Sequence, residues 1–268
     1  MQKRILIVSQ EVSPYTTNGL LSESVLELAK KVKKNKDTEV RLFMPKYGCV
    51  NERRHQLHEV IRLSGVNIVV NDIDQPLIVK VASIPQARLQ VYFIDNEEYF
   101  RRKVTLFDNN KKLVSDNDER LIFFCRGVLE TLQMLGWSPD IIHCHGWFTS
   151  LLPMYLKSMY KHHSVFEQTK IISSIYNSGF KGTLDKMIFD KIKFDGIEEN
   201  LITNLKKPNF DALNTQAVKF SDGVIFEDES SKSKISEFVS ENGISSLSPE
   251  VDTDYYNFYQ NFFSEALV

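Results

Sequence analysis

Apolar residues along the chain follow two alternating rhythms. Short, almost continuously apolar runs, such as "RILIVS" at Arg4–Ser9 and "EVRLFM" at Glu39–Met44, alternate with longer stretches whose apolar residues recur at helical spacing. The first long stretch, Leu20 to Lys34, puts Leu21, Val25, Leu28, Ala29 and Val32 on one face, with Asn18 as the expected N-cap. Runs that are apolar throughout predict strands covered on both faces, and hence a parallel sheet between helical layers.

Between residues 58 and 95 the rhythm changes. "HEVIRLSG", "NIVVND", "LIVKVASI" and "RLQVYFID" are short β-rich runs parted by turn residues. They predict β-hairpins inserted into the α/β frame, or antiparallel structure at its edge. The strongest helical pattern is "SDNDERLIFFCRGVLETLQMLG", with Ser115 or Asp116 as cap, Glu119 in the first turn and Gly136 at the end. "PDIIHCH" then reads as a buried strand, "GWFTSLLPMYLKSMY" as a helix with Pro153 early in it, and "KIISSIY" as the next strand. Lys186 to Leu205 is helical in composition, "DGVIFE" is a strand, and Ser231 to Val239 is a helix. The aromatic tail within 250–268, "DTDYYNFYQNFF", is expected to form a helix that packs back on the domain. No repeat, low-complexity tract or linker breaks the order. Residues 1–268 are therefore expected to form a single α/β domain, doubly wound, with a mostly parallel Rossmann-like sheet of about six core strands.

Composition adds exclusions. A net charge of −2 on 268 residues gives no general attraction to nucleic acid or to an anionic membrane. Cys49, Cys125 and Cys144 are far apart and lack metal-site or redox-motif spacing, as expected of reduced thiols in a cytoplasmic protein. The opening apolar run meets Glu11 and Pro14 too soon for a signal-peptide core, and no stretch is long enough to span a membrane.

Doubly wound sheets bind ligands beyond the carboxyl ends of their strands. After strand one, Gly19 lets backbone approach a ligand and the N–H groups opening the next helix face an anion; the alternative is an ordinary tight turn. No G-x-G-x-x-G follows that strand, which argues against dinucleotide binding. In "HCHGWF", His143 and His145 are expected on opposite sides of the strand, unable to share a metal. His145 either reaches the cleft to bond a sugar hydroxyl or is a buried histidine satisfied by backbone. Trp147 either offers its face to a sugar ring or packs as core. In "SSIYNSGFKG", Asn177 and Ser178 are candidate hydrogen-bonding groups and Lys181 a candidate phosphate contact, or the segment is a glycine-flanked turn. All three strand ends are expected on one rim.

These segments, in this order, resemble the N-terminal catalytic domain of the bacterial glycogen synthase and plant starch synthase family. "RILIVSQEVSPY" is similar to that family's opening strand and Glu-Val-x-Pro loop, and "RLFMPKYG" to its second strand with Pro-x-Tyr. "NDERLIFFCRGVLETL" resembles its long helix, "PDIIHCHGWFTSLLPMYLK" its Pro-Asp-Ile-x-His-x-x-Asp-Trp-His-Thr segment, and "IISSIYNSGFKG" its Ile-His-Asn strand end. "FSDGVIF" is similar to the last Ala-Asp-x-Val strand. The resemblance implies one lobe of a GT-B glycosyltransferase, in which two Rossmann-like domains face a cleft. It further implies retaining transfer of glucose from ADP-glucose or UDP-glucose to an α-1,4-glucan, with no metal and no cofactor.

Several positions depart from the family pattern. Thr16-Thr17-Asn18-Gly19-Leu20 stands where the family has Lys-Thr-Gly-Gly-Leu. Gly146 replaces an Asp, Phe148 a His and Tyr176 a His. The family's second domain, which supplies most of the nucleotide site, is expected to be absent from these residues. Losing one preorganised transition-state donor typically costs about 10²–10³ in rate. The expected function is therefore a glycogen/starch-synthase-type glucosyltransferase domain in α-1,4-glucan metabolism that is not catalytic on its own. The alternative is a non-catalytic glycogen-binding, regulatory or assembly subunit. The expected partners are an α-glucan and a chain supplying a second domain, with no nucleic acid and no membrane. Gly19, His145, Trp147, Asn177 and Ser178 are the expected ligand-binding residues.

Overall fold

The computed structural model of the protein describes residues 2–16, 19–248 and 254–263. Eleven strands occur among them: β1 (Lys3–Ser9), β2 (Thr38–Pro45), β3 (His58–Glu59), β4 (Asn67–Val70), β5 (Ile73–Pro76), β6 (Ile78–Ile84), β7 (Leu89–Asp95), β8 (Ile141–His145), β9 (Lys170–Ile175), β10 (Gly223–Phe226) and β11 (Ser245–Leu247). The α-helices are α1 (Leu20–Lys33), α2 (Glu52–His55), α3 (Glu97–Phe100), α4 (Asn117–Leu135), α5 (Leu152–Lys157), α6 (Ile188–Phe194), α7 (Phe210–Lys219), α8 (Glu229–Glu241) and α9 (Tyr255–Gln260).

Nine strands form one sheet in the order β11-β10-β9-β8-β1-β2-β7-β6-β3. From β11 through β7 every neighbouring pair is parallel. The chain builds outward from β1 through β2 to β7, then returns to place β8 on the other side of β1. The switch in strand order therefore lies between β1 and β8, where a crevice opens beyond the strand ends. Ile5 to Val8 of β1 have no exposed surface, because the strand has neighbours on both edges and helices on both faces. The continuous apolar run in the sequence has this cause.

The stretch 58–95 divides in two. β6 and β3 continue the sheet antiparallel at its edge, and β4 pairs with β5 in a separate two-stranded ribbon. β7, however, runs parallel to β2 and belongs to the core sheet, so the insertion is shorter than the β-rich rhythm suggested. With β7 and the short β11 included, the parallel set has seven members rather than about six. β11 is three residues with little burial and left no pattern to read.

Helix α4 is buried around most of its circumference and ends at Gly136 in a left-handed C-cap. Asp116 sits at its N-cap position but makes no side-chain cap bond, and its carboxylate pairs with Arg102 instead. The proposed Asn18 cap of α1 lies outside the described residues. The expected helix from Lys186 to Leu205 is α6 alone, followed by Gly196 at positive φ and two 3₁₀ turns, Glu199–Leu201 and Thr203–Lys206. α7 was not anticipated; its signal is Asn209, whose side chain accepts the Ala212 N–H at 2.8 Å. The predicted tail helix is α9, with Phe258 and Tyr259 buried, while residues 250–253 and 264–268 of that prediction lie outside the described residues. No helix among the described residues is long and apolar enough to cross a membrane.

Candidate functional site

A cleft of about 750 Å³ opens beyond the carboxyl ends of β1, β8, β9 and β10. The strand-one loop contributes Gln10 and Glu11, the start of α1 contributes Gly19 and Leu20, and the segment after β8 contributes Trp147. Tyr176 and Ser178 follow β9, Glu227 and Asp228 follow β10, and Lys103 and Asp108 close the far wall. Gly19, Trp147 and Ser178 are thus brought together. Gly19 is at φ +132°, a backbone state that side chains disfavour, and it opens α1 with no side-chain cap. The first N–H groups of that helix are left for solvent or ligand.

His145 and Asn177 stand apart from that group. His145 is buried and lines a smaller cavity of about 190 Å³ behind the cleft, together with Tyr176, Glu227 and Tyr255. Its Nδ1 is 2.8 Å from the Tyr176 hydroxyl, and its Nε2 has no partner among the described residues. Burial holds its pKa down at about 3, so the ring is neutral. The reading that backbone satisfies it is incorrect, since its partner is a tyrosine. Asn177 lines a separate groove and gives its backbone N–H to Asp228 at 3.0 Å. Lys181 lines that groove too, away from the main cleft.

The two histidines do not face opposite sides. Residues i and i+2 of a strand share a face, and the two rings lie 3.9 Å apart between centroids. His143 is fully buried and its pKa is well below the usual histidine range, from burial first and from His145 second. Its partners fix its role. Tyr259 lies 2.6 Å from Nδ1 and Ser174 Oγ lies 2.8 Å from Nε2, while Ser174 also donates to Glu227 at 2.6 Å. One assignment satisfies all three bonds: Tyr259 donates to Nδ1, Nε2–H donates to Ser174, and Ser174 donates to the carboxylate. Tyr255 adds a second donor to Glu227 at 2.9 Å. α9 is thereby tied to the floor of the cleft by two tyrosines.

Sequence reasoning missed the carboxylates. Glu11 is almost buried, and desolvation raises its pKa to about 7. Burial raises that of Glu227 as well, against the bonds from Ser174 and Tyr255. For Asp228 burial also acts upward, but donors from Ser230, Asn177 and Ser231 outweigh it and hold the carboxyl low. Glu11 follows the end of β1 and Glu227 directly follows β10, so position relative to a strand end was the available signal. Such positions are where perturbed groups and ligand sites coincide.

Residues 4–247 match the family model of the starch synthase catalytic domain. The chain belongs to this family. Among curated relatives, the glycogen synthase of Chlorobium limicola is 40% identical over 190 residues, covering 70% of this chain and 39% of the relative. That of Chlorobaculum parvum is 34% identical over 241 residues, covering 85% of this chain and 48% of the relative. The chain thus spans less than half the length of these relatives. The catalytic domain of starch synthase IV from Arabidopsis thaliana, solved with ADP and acarbose, superposes with a TM-score of 0.75 at 19% identity, over 92% of this chain and 51% of that one. That likeness carries the fold, a GT-B glycogen/starch synthase domain.

In this starch synthase domain the departures from the family pattern have local explanations. Thr16, at the place of the family lysine, is buried and accepts the Val12 N–H at 3.1 Å, which ties the loop to itself. Gly146, at the place of the Asp, has φ +84°, and a Cβ there would lie 2.4 Å from Gln10 Oε1. Gln10 fills that space and accepts the Phe148 N–H at 3.3 Å. Phe148, at the place of a His, is core, stacked on Phe124 at 5.8 Å. Tyr176, at the place of the other His, borders the main cleft and both smaller cavities.

Proposed function

We propose that this starch synthase domain serves α-1,4-glucan metabolism by holding the glucan, and that these residues do not transfer glucose by themselves. One observation carries the reading. The cleft presents Glu11, Asp108, Glu227 and Asp228 against one lysine among its lining residues, Lys103. A nucleoside diphosphate leaving group without a metal needs converging cations. Asp228, whose carboxyl is held low, repels it, and buried Glu11 and Glu227, which ionise less readily, offer no cation in its place, whereas carboxyl oxygens accept hydrogen bonds from the hydroxyls of a neutral sugar. Helix α1 offers its N-terminal N–H groups, but its first loop brings no basic side chain among the described residues.

A second reading is a glucosyltransferase completed by a further domain, from the same protein or from a partner chain, with ADP-glucose or UDP-glucose as donor. The family match over residues 4–247 favours it. One experiment separates the two. Labelled glucose transfer to glycogen is measured with both donors, beside co-sedimentation of the same sample with glycogen. Co-sedimentation without transfer is the expected result. Transfer by the chain alone refutes the first reading. Absence of co-sedimentation, with no response to millimolar maltooligosaccharide, removes glucan binding.

A further inference from the structure

The net charge of −2, which argued against an anionic partner, averages two unlike faces. The cleft, beyond the carboxyl ends of the strands, presents Glu11, Asp108, Glu227 and Asp228. The opposite face, at the amino ends, has a dense basic region at the end of α1. There Lys30, Lys31, Lys33, Lys34 and Lys36 fall within seven residues. Backbone bonds fix where this run sits. Thr38 N–H donates to Asn35 O at 3.1 Å and Lys3 N–H donates to Asp37 O at 2.7 Å, so residues 35–37 cover the amino ends of β1 and β2. Val25, Leu28, Ala29 and Val32 form the buried side of α1, which turns the lysines outward. Lys31, Lys34 and Lys36 are exposed and Lys33 is half-buried.

Lysines at a helix C-terminus ordinarily answer its dipole. That end carries about half a negative charge, which a single lysine offsets. Lys30 is already engaged by Glu27 at 2.7 Å. Lys31, Lys33, Lys34 and Lys36 have no ion pair and no side-chain hydrogen bond among the described residues. Asp37, next in sequence, offsets one charge at most. Lys30 and Lys34 are also i, i+4 neighbours, whose like charges repel. The run therefore exceeds what the helix itself uses, and an external anion is what relieves it.

The end of α9 reaches the same face. α9 packs beside α1. Lys3 Nζ, at the start of β1, lies 4.8 Å from the centre of the Phe263 ring. A Cβ on Gly223, the first residue of β10, would lie 2.6 Å from Phe262 Cζ. Both rings are half-buried.

We propose that this face is a docking surface for an anionic lipid bilayer, which the lysines meet while the cleft faces away from it. The inference does not depend on what the cleft binds. Lysine is a point charge suited to the diffuse field of anionic headgroups, and the run holds no arginine for bidentate recognition of phosphates or base edges. Phenylalanines half-sunk in the protein at its border match the shallow apolar layer beneath headgroups better than the open platform on which bases stack.

Co-sedimentation of the purified chain with vesicles tests this. The vesicles are phosphatidylcholine alone, or phosphatidylcholine and phosphatidylserine in equal parts. Each lysine near an anionic surface multiplies partition about fivefold. Wild type is expected to favour the serine-lipid vesicles, and Lys33→Gln, Lys34→Gln and Lys36→Gln combined are expected to weaken that binding about a hundredfold. Glutamine keeps the helix propensity, and melting temperatures check the fold. If the triple variant unfolds, Lys34→Gln with Lys36→Gln changes exposed positions only and carries the test, with a loss of about twentyfold. Raising salt from about 0.1 M to about 1 M shortens the screening length from about 10 Å to about 3 Å and is expected to release wild type. No partition of wild type onto the anionic vesicles at low salt overturns the inference, and so does equal partition by the folded variants. Tighter binding to duplex DNA than to anionic vesicles, in competition, overturns it in favour of a nucleic-acid partner.

Discussion

Glu11→Gln is expected to stabilise the protein at alkaline pH. The Glu11 carboxyl is almost buried, and its pKa rises from 4.5 to about 7 through desolvation alone. No cation among the described residues compensates, so the ionised form is penalised in the folded state only. Below pH 4.5 the carboxyl is protonated in both states and contributes nothing. Between 4.5 and about 7 the folded protein holds the proton more tightly than the unfolded chain, so stability falls as pH rises. Above about 7 the loss is complete. At about 1.4 kcal/mol per pH unit over that interval, ionised Glu11 costs about 3 kcal/mol. Glutamine keeps the shape and removes the charge. In a domain of this size the gain corresponds to a melting temperature about 6 °C higher at pH 8.

The assay is urea unfolding of both proteins from pH 4 to 8, read as a difference. The difference is essential, because the buried histidines tilt the curve the other way. His145 has a folded pKa of about 3 against an ordinary 6.5, so its contribution is present above pH 6.5 and is lost as pH falls toward 3. Both proteins carry that slope, and subtraction cancels it. The expected difference is near zero at pH 4, grows through pH 5–7 and levels off near 8. A flat difference across the whole range refutes the reasoning, because Glu11 would then ionise as easily folded as unfolded.

Gly146→Asp is expected to destabilise by about 1–3 kcal/mol, through positive φ and the collision with Gln10, without conferring transfer activity; adding Gln10→Ala recovers the steric part alone in chemical denaturation. Tyr259→Phe strands His143 Nδ1 in the core and is expected to cost about 1–3 kcal/mol, with earlier proteolysis of the α9 segment as a second readout. Asp195→Ala leaves the buried Arg126 guanidinium without its carboxylate, 2.6 Å away, and is expected to cost about 3–5 kcal/mol in urea unfolding. Tyr176→Phe removes the partner of His145 Nδ1 and is expected to raise the mobility of that ring, visible as broadening of its NMR signals.

Most of the sheet was legible because burial writes itself into sequence. β1 shows a continuous apolar run from Ile5 to Val8, and β2, β8 and β9 each carry apolar residues enough to read as buried strands although Arg41, His143 and Ser173–Ser174 interrupt them. α4 was legible for a similar reason, aided by the glycine at its end. Elements held mainly by local hydrogen bonds left weaker traces. α7 buries Leu213, Ala217 and Val218, but its start is marked by one Asn cap, and β11 rests on three backbone pairings. β7 was misread because its sequence resembles its antiparallel neighbour β6. Strand direction is decided by what lies on the other edge, here β2.

Legibility of the site divides along the same physical line. Backbone features were readable: Gly19 at the mouth of α1 and the sharing of a rim by three βα corners both follow from topology. Side-chain direction was not. His145 was placed at the cleft because it ends its strand, but the inward face of β8 turns it toward His143 and Tyr176 instead. Asn177 is turned away because Asp228 holds its N–H from the next corner. The substitutions at 16, 146 and 148 read in sequence as losses. In the folded domain each lost polar group is replaced by something that fills or closes the space: a hydroxyl that ties the loop, the Gln10 side chain, and a ring in the core. The β1 and β8 corners of the cleft are thus closed by packing and local hydrogen bonds, so what reads in the sequence as three missing side chains is in the fold a set of filled spaces.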